Sequence, residues 1–84
     1  GADVATQTAQ VLRNIDAVLE AAGCSSADII KTTIFLQSMG DFAAVNALYG
    51  AWLTPPFPAR STVAAAGLPR DVLVEIEVIA RMPL

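Results

Sequence analysis

The run Ile29-Ile30-Lys31-Thr32-Thr33-Ile34-Phe35-Leu36-Gln37 stands between two segments of helical periodicity, and that placement constrains the fold more than any other feature. The run is rich in β-branched residues and predicts a strand. Its alternation puts Ile30, Thr32, Ile34 and Leu36 on one face and Ile29, Lys31, Thr33, Phe35 and Gln37 on the other. Before it, Asp3 to Ala22 predicts an amphipathic helix. Val4, Val11, Leu12, Ile15, Val18, Leu19 and Ala22 share a stripe, with Gln10, Arg13, Asn14, Asp16 and Glu20 off it. Asp3 suits the N-cap and Gly23 the position after the C-cap, and Cys24 to Asp28 predicts a turn. After the strand, a second helix is capped by Asp41 and buries Phe42, Val45, Tyr49, Trp52 and Leu53. A helix between two strands makes the strands parallel, with a right-handed crossover.

Pro55-Pro56 and Pro58 end the second helix and hold the next approach stiff and extended. Arg60 to Ala66 predicts the second strand, Gly67 to Asp71 a turn, and Val72 to Ala80 a third strand, paired with the second as a hairpin. The fold class is α+β: order α-β-α-β-β, a mixed sheet with two helices on one face. On the last strand Val72, Val74, Ile76, Val78 and Ala80 point under the helices, while Leu73, Glu75, Glu77, Ile79 and Arg81 point away. On its neighbour Arg60, Thr62, Ala64 and Ala66 share a side. The helix-free face mixes Phe35, Leu73 and Ile79 with Lys31, Thr33, Glu75 and Glu77, which suits packing against other subunits with a polar pocket at the seam.

The 84 residues form one domain, residues 1–84. They are 55% hydrophobic and only 15% charged, with mean hydropathy +0.57, so a small sphere cannot hide the apolar surface and an oligomer is expected. No apolar run reaches the roughly 18 residues of a membrane span. Net charge is −3, and Arg13, Lys31, Arg60, Arg70 and Arg81 are scattered, which disfavours nucleic-acid binding. With one cysteine, Cys24, and no histidine, neither a disulfide framework nor a Cys/His metal site is available, and the usual imidazole base is missing. Cys24 has no activating neighbour in the sequence. The chain opens Gly-Ala-Asp, as the later part of something longer or a processed product would, so any targeting segment falls outside these residues.

Two charges on apolar strands concentrate the chemistry. Arg60 offers a planar guanidinium that matches a carboxylate bidentately. Its structural alternative is a salt bridge to Glu75 or Glu77. In a hairpin centred near Pro69, Arg60 falls opposite a residue near Val78, which makes Glu77 the better-placed partner. Glu75 is the acid/base candidate, or else a paired or solvated carboxylate on an outer face. Thr62 lies two residues beyond Arg60 on the same face and can line the same pocket, or simply fill the sheet. Asn46, Tyr49 and Trp52 fall at helical spacing and read as capping or core.

Pro58-Ala59-Arg60-Ser61-x-Val63, then Ala66-x-Leu68 and Val74-Glu75-Ile76, resembles the signature of the RidA (YjgF) family of enamine/imine deaminases. Asn14-Ile15, Ala21-Ala22-Gly23, Asp28 to Thr33, Asp41-Phe42 and Val45-Asn46 resemble it too, so the resemblance spans essentially the whole chain. It implies a chorismate-mutase-like fold, a homotrimer with ligand clefts between subunits, and a cytoplasmic enzyme without a cofactor or metal. The implied reaction hydrolyses 2-imino acids, tautomers of reactive enamines, to 2-keto acids and ammonia. By position, Arg60 would bind the substrate carboxylate, Glu75 would handle the water or the imine proton, and Thr62, at a position often cysteine in the family, would line the pocket. The family's N-terminal β-hairpin region, which contributes a tyrosine and backbone groups to the cleft, has no counterpart here, and its loss would leave a sheet edge open. Two further readings stand beside the deaminase. One is a non-catalytic carboxylate-binding or regulatory member. The other is a ribonuclease or translation inhibitor, against which the acidic balance and missing histidine count.

Overall fold

The structure, a computed structural model, describes residues 3–82. Helix α1 (Val4–Ala21) leads to strand β1 (Ile29–Leu36), helix α2 (Phe42–Trp52), strand β2 (Ala59–Ala64) and strand β3 (Val74–Ala80). Both helices pack on one face of a three-stranded mixed sheet. Asp3 caps α1 as expected, its carboxylate accepting from the Thr6 N–H at 2.7 Å. Gly23 takes a left-handed φ of 79°. The N–H of Gly23 then reaches the Glu20 carbonyl at 3.0 Å, and that of Cys24 the Leu19 carbonyl at 2.7 Å, which closes the helix end.

The sheet order is β2-β1-β3, so the expected hairpin does not form. β1 lies between the two later strands, parallel to β2 and antiparallel to β3. Ala64 and Val74 both flank Leu36, and the intervening loop passes over the end of β1. The Ala65 N–H donates to the Leu36 carbonyl at 2.8 Å and the Gln37 N–H to the Leu73 carbonyl at 3.1 Å. A central strand with neighbours on both edges and helices above is the best-shielded site in the fold. Leu36 is fully buried and Ile34 nearly so, each side chain contributing about 1.5–3 kcal/mol of apolar burial. They join Leu19, Ile29, Val45, Tyr49, Leu53 and Val74 in the core.

A register shift between Ile29 and Lys31 reverses the expected facing at the start of β1. Ile29 is buried and Ile30 is exposed, while Thr32, Ile34 and Leu36 face the helices as expected. On β3, Val74, Ile76 and Val78 do turn toward the core and Glu75, Glu77 and Ile79 away from it. Val18, expected on the buried stripe of α1, is 69% exposed. The reason is width: three strands span only about 10 Å between outer backbones, whereas two packed helices need roughly twice that. The flank of α1 therefore overhangs β3. Below it lie two apolar troughs, about 260 Å³ beside Ile15, Val18, Ile76 and Val78 and about 370 Å³ beside Gln10, Val72 and Val74. Trp52, expected in the core, is half-buried and ties the helices together, its indole N–H donating to the Asp16 carboxylate at 3.0 Å.

Candidate functional site

The extended Phe57-Pro58 segment delivers the chain to β2, where Arg60 is register partner of Thr32 and Thr62 of Ile34. Thr32 and Ile34 are buried under the helices, so alternation places Arg60 and Thr62 on that same face. There Arg60 meets α2. Phe42, Asn46 and Tyr49 recur at i, i+4 and i+7, which puts all three on one side of the helix. The guanidinium carbon of Arg60 lies 5.5 Å from the Phe42 ring centroid and 5.4 Å from that of Tyr49. Its Nη1–H donates to the Asn46 Oδ1. Both rings are within cation–π range. Arg60 forms no ion pair among the described residues, and its remaining donors have no protein acceptor there.

Three buried hydroxyls near this group have no hydrogen-bond partner among the described residues: Thr32 beside Arg60 across the strands, Thr62 two residues along, and Tyr49 beneath. Uncompensated polar atoms of this kind are uncommon in a core and concentrate on this one face. The structure thus brings together Arg60 and Thr62, as expected. It also adds Phe42, Asn46 and Tyr49. The helical spacing of Asn46, Tyr49 and Trp52 is visible in the sequence, but it reads as core until the crossover is known to lay α2 against β2.

Glu75 is elsewhere. It pairs with Phe35, and Glu77 pairs with Thr33, so both carboxylates stand on the helix-free face. β1 separates β3 from β2, and Arg60 faces the other way. A salt bridge from Arg60 to Glu75 or Glu77 within one chain is therefore excluded. The expected alignment of Arg60 with Val78 holds only as a row, with Thr32 between them. Glu75 is also exposed rather than partly buried. Around it the helix-free face carries Phe35, Val63 and Ile79, the last two 45% and 56% exposed. That is much apolar surface for a face that also holds two carboxylates.

Cys24 is half-buried, with its sulfur 3.6 Å from the Met82 Sδ and 3.9 Å from the Ala22 carbonyl. It also lies 4.0 Å from the Arg81 backbone carbonyl. Among the described residues no helix is long and apolar enough to cross a membrane.

Comparison with known proteins extends these observations. The chain is 54% identical over 82 residues to the 2-iminobutanoate/2-iminopropanoate deaminase of Escherichia coli K12, covering 94% of this chain and 64% of that protein. It is 52% identical over 82 residues to a RutC family protein of Synechocystis, covering 96% of this chain and 63% of the relative. The crystal structure of RidA from the Antarctic bacterium Psychrobacter sp. PAMC 21119 superposes with a TM-score of 0.92 at 41% identity, covering 95% of this chain and 65% of that one. The chain thus spans a little under two thirds of the length of these relatives. Residues 1–82 match the family described as endoribonuclease L-PSP. The signature around Arg60 and Glu75, the two helices on a mixed sheet and these relatives agree: the chain belongs to the endoribonuclease L-PSP family, which is the RidA/YjgF family.

Proposed function

We propose that the chain is a deaminase subunit that hydrolyses 2-imino acids, and their enamine tautomers, to 2-keto acids and ammonia. The observation that carries this reading is Arg60: a cation oriented by α2, with most of its donors left without an acceptor among the described residues. Such a group is fitted to take the carboxylate of a small ligand.

The chemistry asks little more. An imine carbon is already electrophilic, so water adds to C2 directly. One water proton is lost as the nitrogen takes one, which gives a carbinolamine. The proton of its new hydroxyl then passes to the nitrogen as the C–N bond breaks, releasing ammonia and leaving the ketone. Glu75 is the group for that proton movement, and Thr62 lines the pocket beside Arg60. Since Arg60 and Glu75 face opposite ways within one chain, the two meet only across an interface. A homotrimer with clefts between subunits supplies one, with the half-apolar helix-free face as the contact surface. The name of the E. coli relative supports the substrate class. A coupled assay with freshly generated 2-iminopropanoate tests the reading, which expects ammonia release above the spontaneous rate. Binding of 2-keto acids with no acceleration of hydrolysis would instead favour a carboxylate-binding module.

A further inference from the structure

We propose that Phe42, Asn46 and Tyr49 form a positioning clamp that presets the guanidinium of Arg60 for its ligand, with Asn46 required there as a neutral acceptor. This rests on the reading of Arg60 as a carboxylate anchor and adds what holds it. An arginine side chain on an edge strand is ordinarily mobile, and fixing it on binding costs rotamer entropy. Here that cost is met in advance. Phe42 and Tyr49 are seven residues apart, about 10.5 Å along the helix axis. The guanidinium carbon lies 5.5 and 5.4 Å from their centroids, so it sits between the two rings and over Asn46.

The chemistry of the acceptor follows. An amide oxygen orients one N–H group while leaving the net positive charge of Arg60 intact. A carboxylate at the same place would hold the guanidinium as firmly but neutralise it, and would compete with the ligand carboxylate for the same donors. Asn46 is thus a selectivity choice as well as an orienting one. Tyr49 serves through its ring. Its buried hydroxyl has no partner among the described residues, so the oxygen adds nothing to the clamp.

The test is calorimetric titration with 2-oxobutanoate, the stable ketone counterpart of a four-carbon imino acid, run with thermal unfolding on each variant. Asn46→Asp is nearly isosteric and should weaken binding tenfold or more with no loss of unfolding temperature. In turnover the same variant should raise KM far more than it lowers kcat. Phe42→Leu should bind several-fold more weakly. If Arg60→Ala abolishes binding while Asn46→Asp binds as the parent does, the clamp is overturned and the anchor reading survives. If Arg60→Ala also binds as the parent does, the anchor reading fails and the clamp falls with it.

Discussion

Arg60 and Glu75 stand on opposite faces of one three-stranded sheet, with β1 running between their strands. A cleft that uses both must therefore take them from different copies of the chain. This gives a mixing experiment. Arg60→Ala and Glu75→Gln are each expected to be inactive. Unfolded and refolded together in equal amounts, they should recover about a quarter of the parental activity, because random assembly pairs an intact arginine with an intact glutamate in that share of the clefts. A mixture as inactive as its components would place both residues in the same chain's site, or neither in it.

The two variants should also fail differently when assayed alone. Arg60→Lys should be nearly as poor as Arg60→Ala, since an ammonium is a point donor and cannot form the fork. A charge-assisted hydrogen bond is worth about 1.5–3 kcal/mol, so the loss in kcat/KM should be on the order of 100-fold. Glu75→Gln keeps the shape and removes the proton carrier. Its kcat should fall by about 100-fold or more while 2-keto acids still bind. Calorimetry beside the deaminase assay separates the two. A fully active Glu75→Gln would remove Glu75 from the chemistry.

Asp3 makes α1 sensitive to acid. The Thr6 backbone N–H donating to its carboxylate holds the Asp3 pKa below the ordinary 3.8. The folded state thus binds that proton less readily than the unfolded chain. The contribution of the cap is complete above the ordinary pKa and fades as pH falls through the depressed one. Asp3→Asn keeps a capping oxygen without a titrating group. Hydrogen exchange at the Thr6 amide, followed from neutral pH into the acid range, should show protection lost in the parent and retained in Asp3→Asn. Equal loss in both would mean the cap is not what titrates.

The elements and their order could be read from the sequence because they are local properties. Helix period, β-branching, the Asp3 cap and Gly23 each act within a few residues. Strand order could not be read the same way. The turn from Gly67 to Asp71 looks like a hairpin link, and nothing in its chemistry says that β1 will occupy the place beside β2 first. The parallel crossover through α2 decides that. The site shared this fate. Arg60 and Thr62 were legible as neighbours because alternation is local. The expected pairing of the strands that carry Arg60 and Glu75 depended on strand order and failed with it. The exposure of Val18 and the bulge at Ile30 were equally out of reach, since each follows from how much sheet lies beneath a given residue.

That loop over the end of β1 carries a backbone conformation that local chemistry disfavours. Arg70 has φ 58° and ψ 24°, and Asp71 has φ 54°. The Val72 N–H closes the turn onto the Pro69 carbonyl at 3.3 Å. Two successive left-handed residues are the requirement of a type I′ turn, which glycine, asparagine and aspartate meet most easily. Asp71 is suited to its place and Arg70 is not, because a long side chain gains nothing locally to offset the clash of its Cβ. The left-handed conformation costs about 1–2 kcal/mol for such a residue. Glycine removes that cost but gives back roughly 0.5–1 kcal/mol through the greater freedom of the unfolded chain. Arg70→Gly should therefore stabilise the fold by about 0.5 kcal/mol, or about 2–4 °C in Tm for a domain of this size. Arg70→Ala keeps the Cβ and should change little. Arg70→Val adds β-branching at positive φ and should lose about 1 kcal/mol. Thermal unfolding of the three variants checks the ranking Gly above Ala above Val. If Arg70→Gly is no more stable than Arg70→Ala, the turn holds its shape without strain at Arg70.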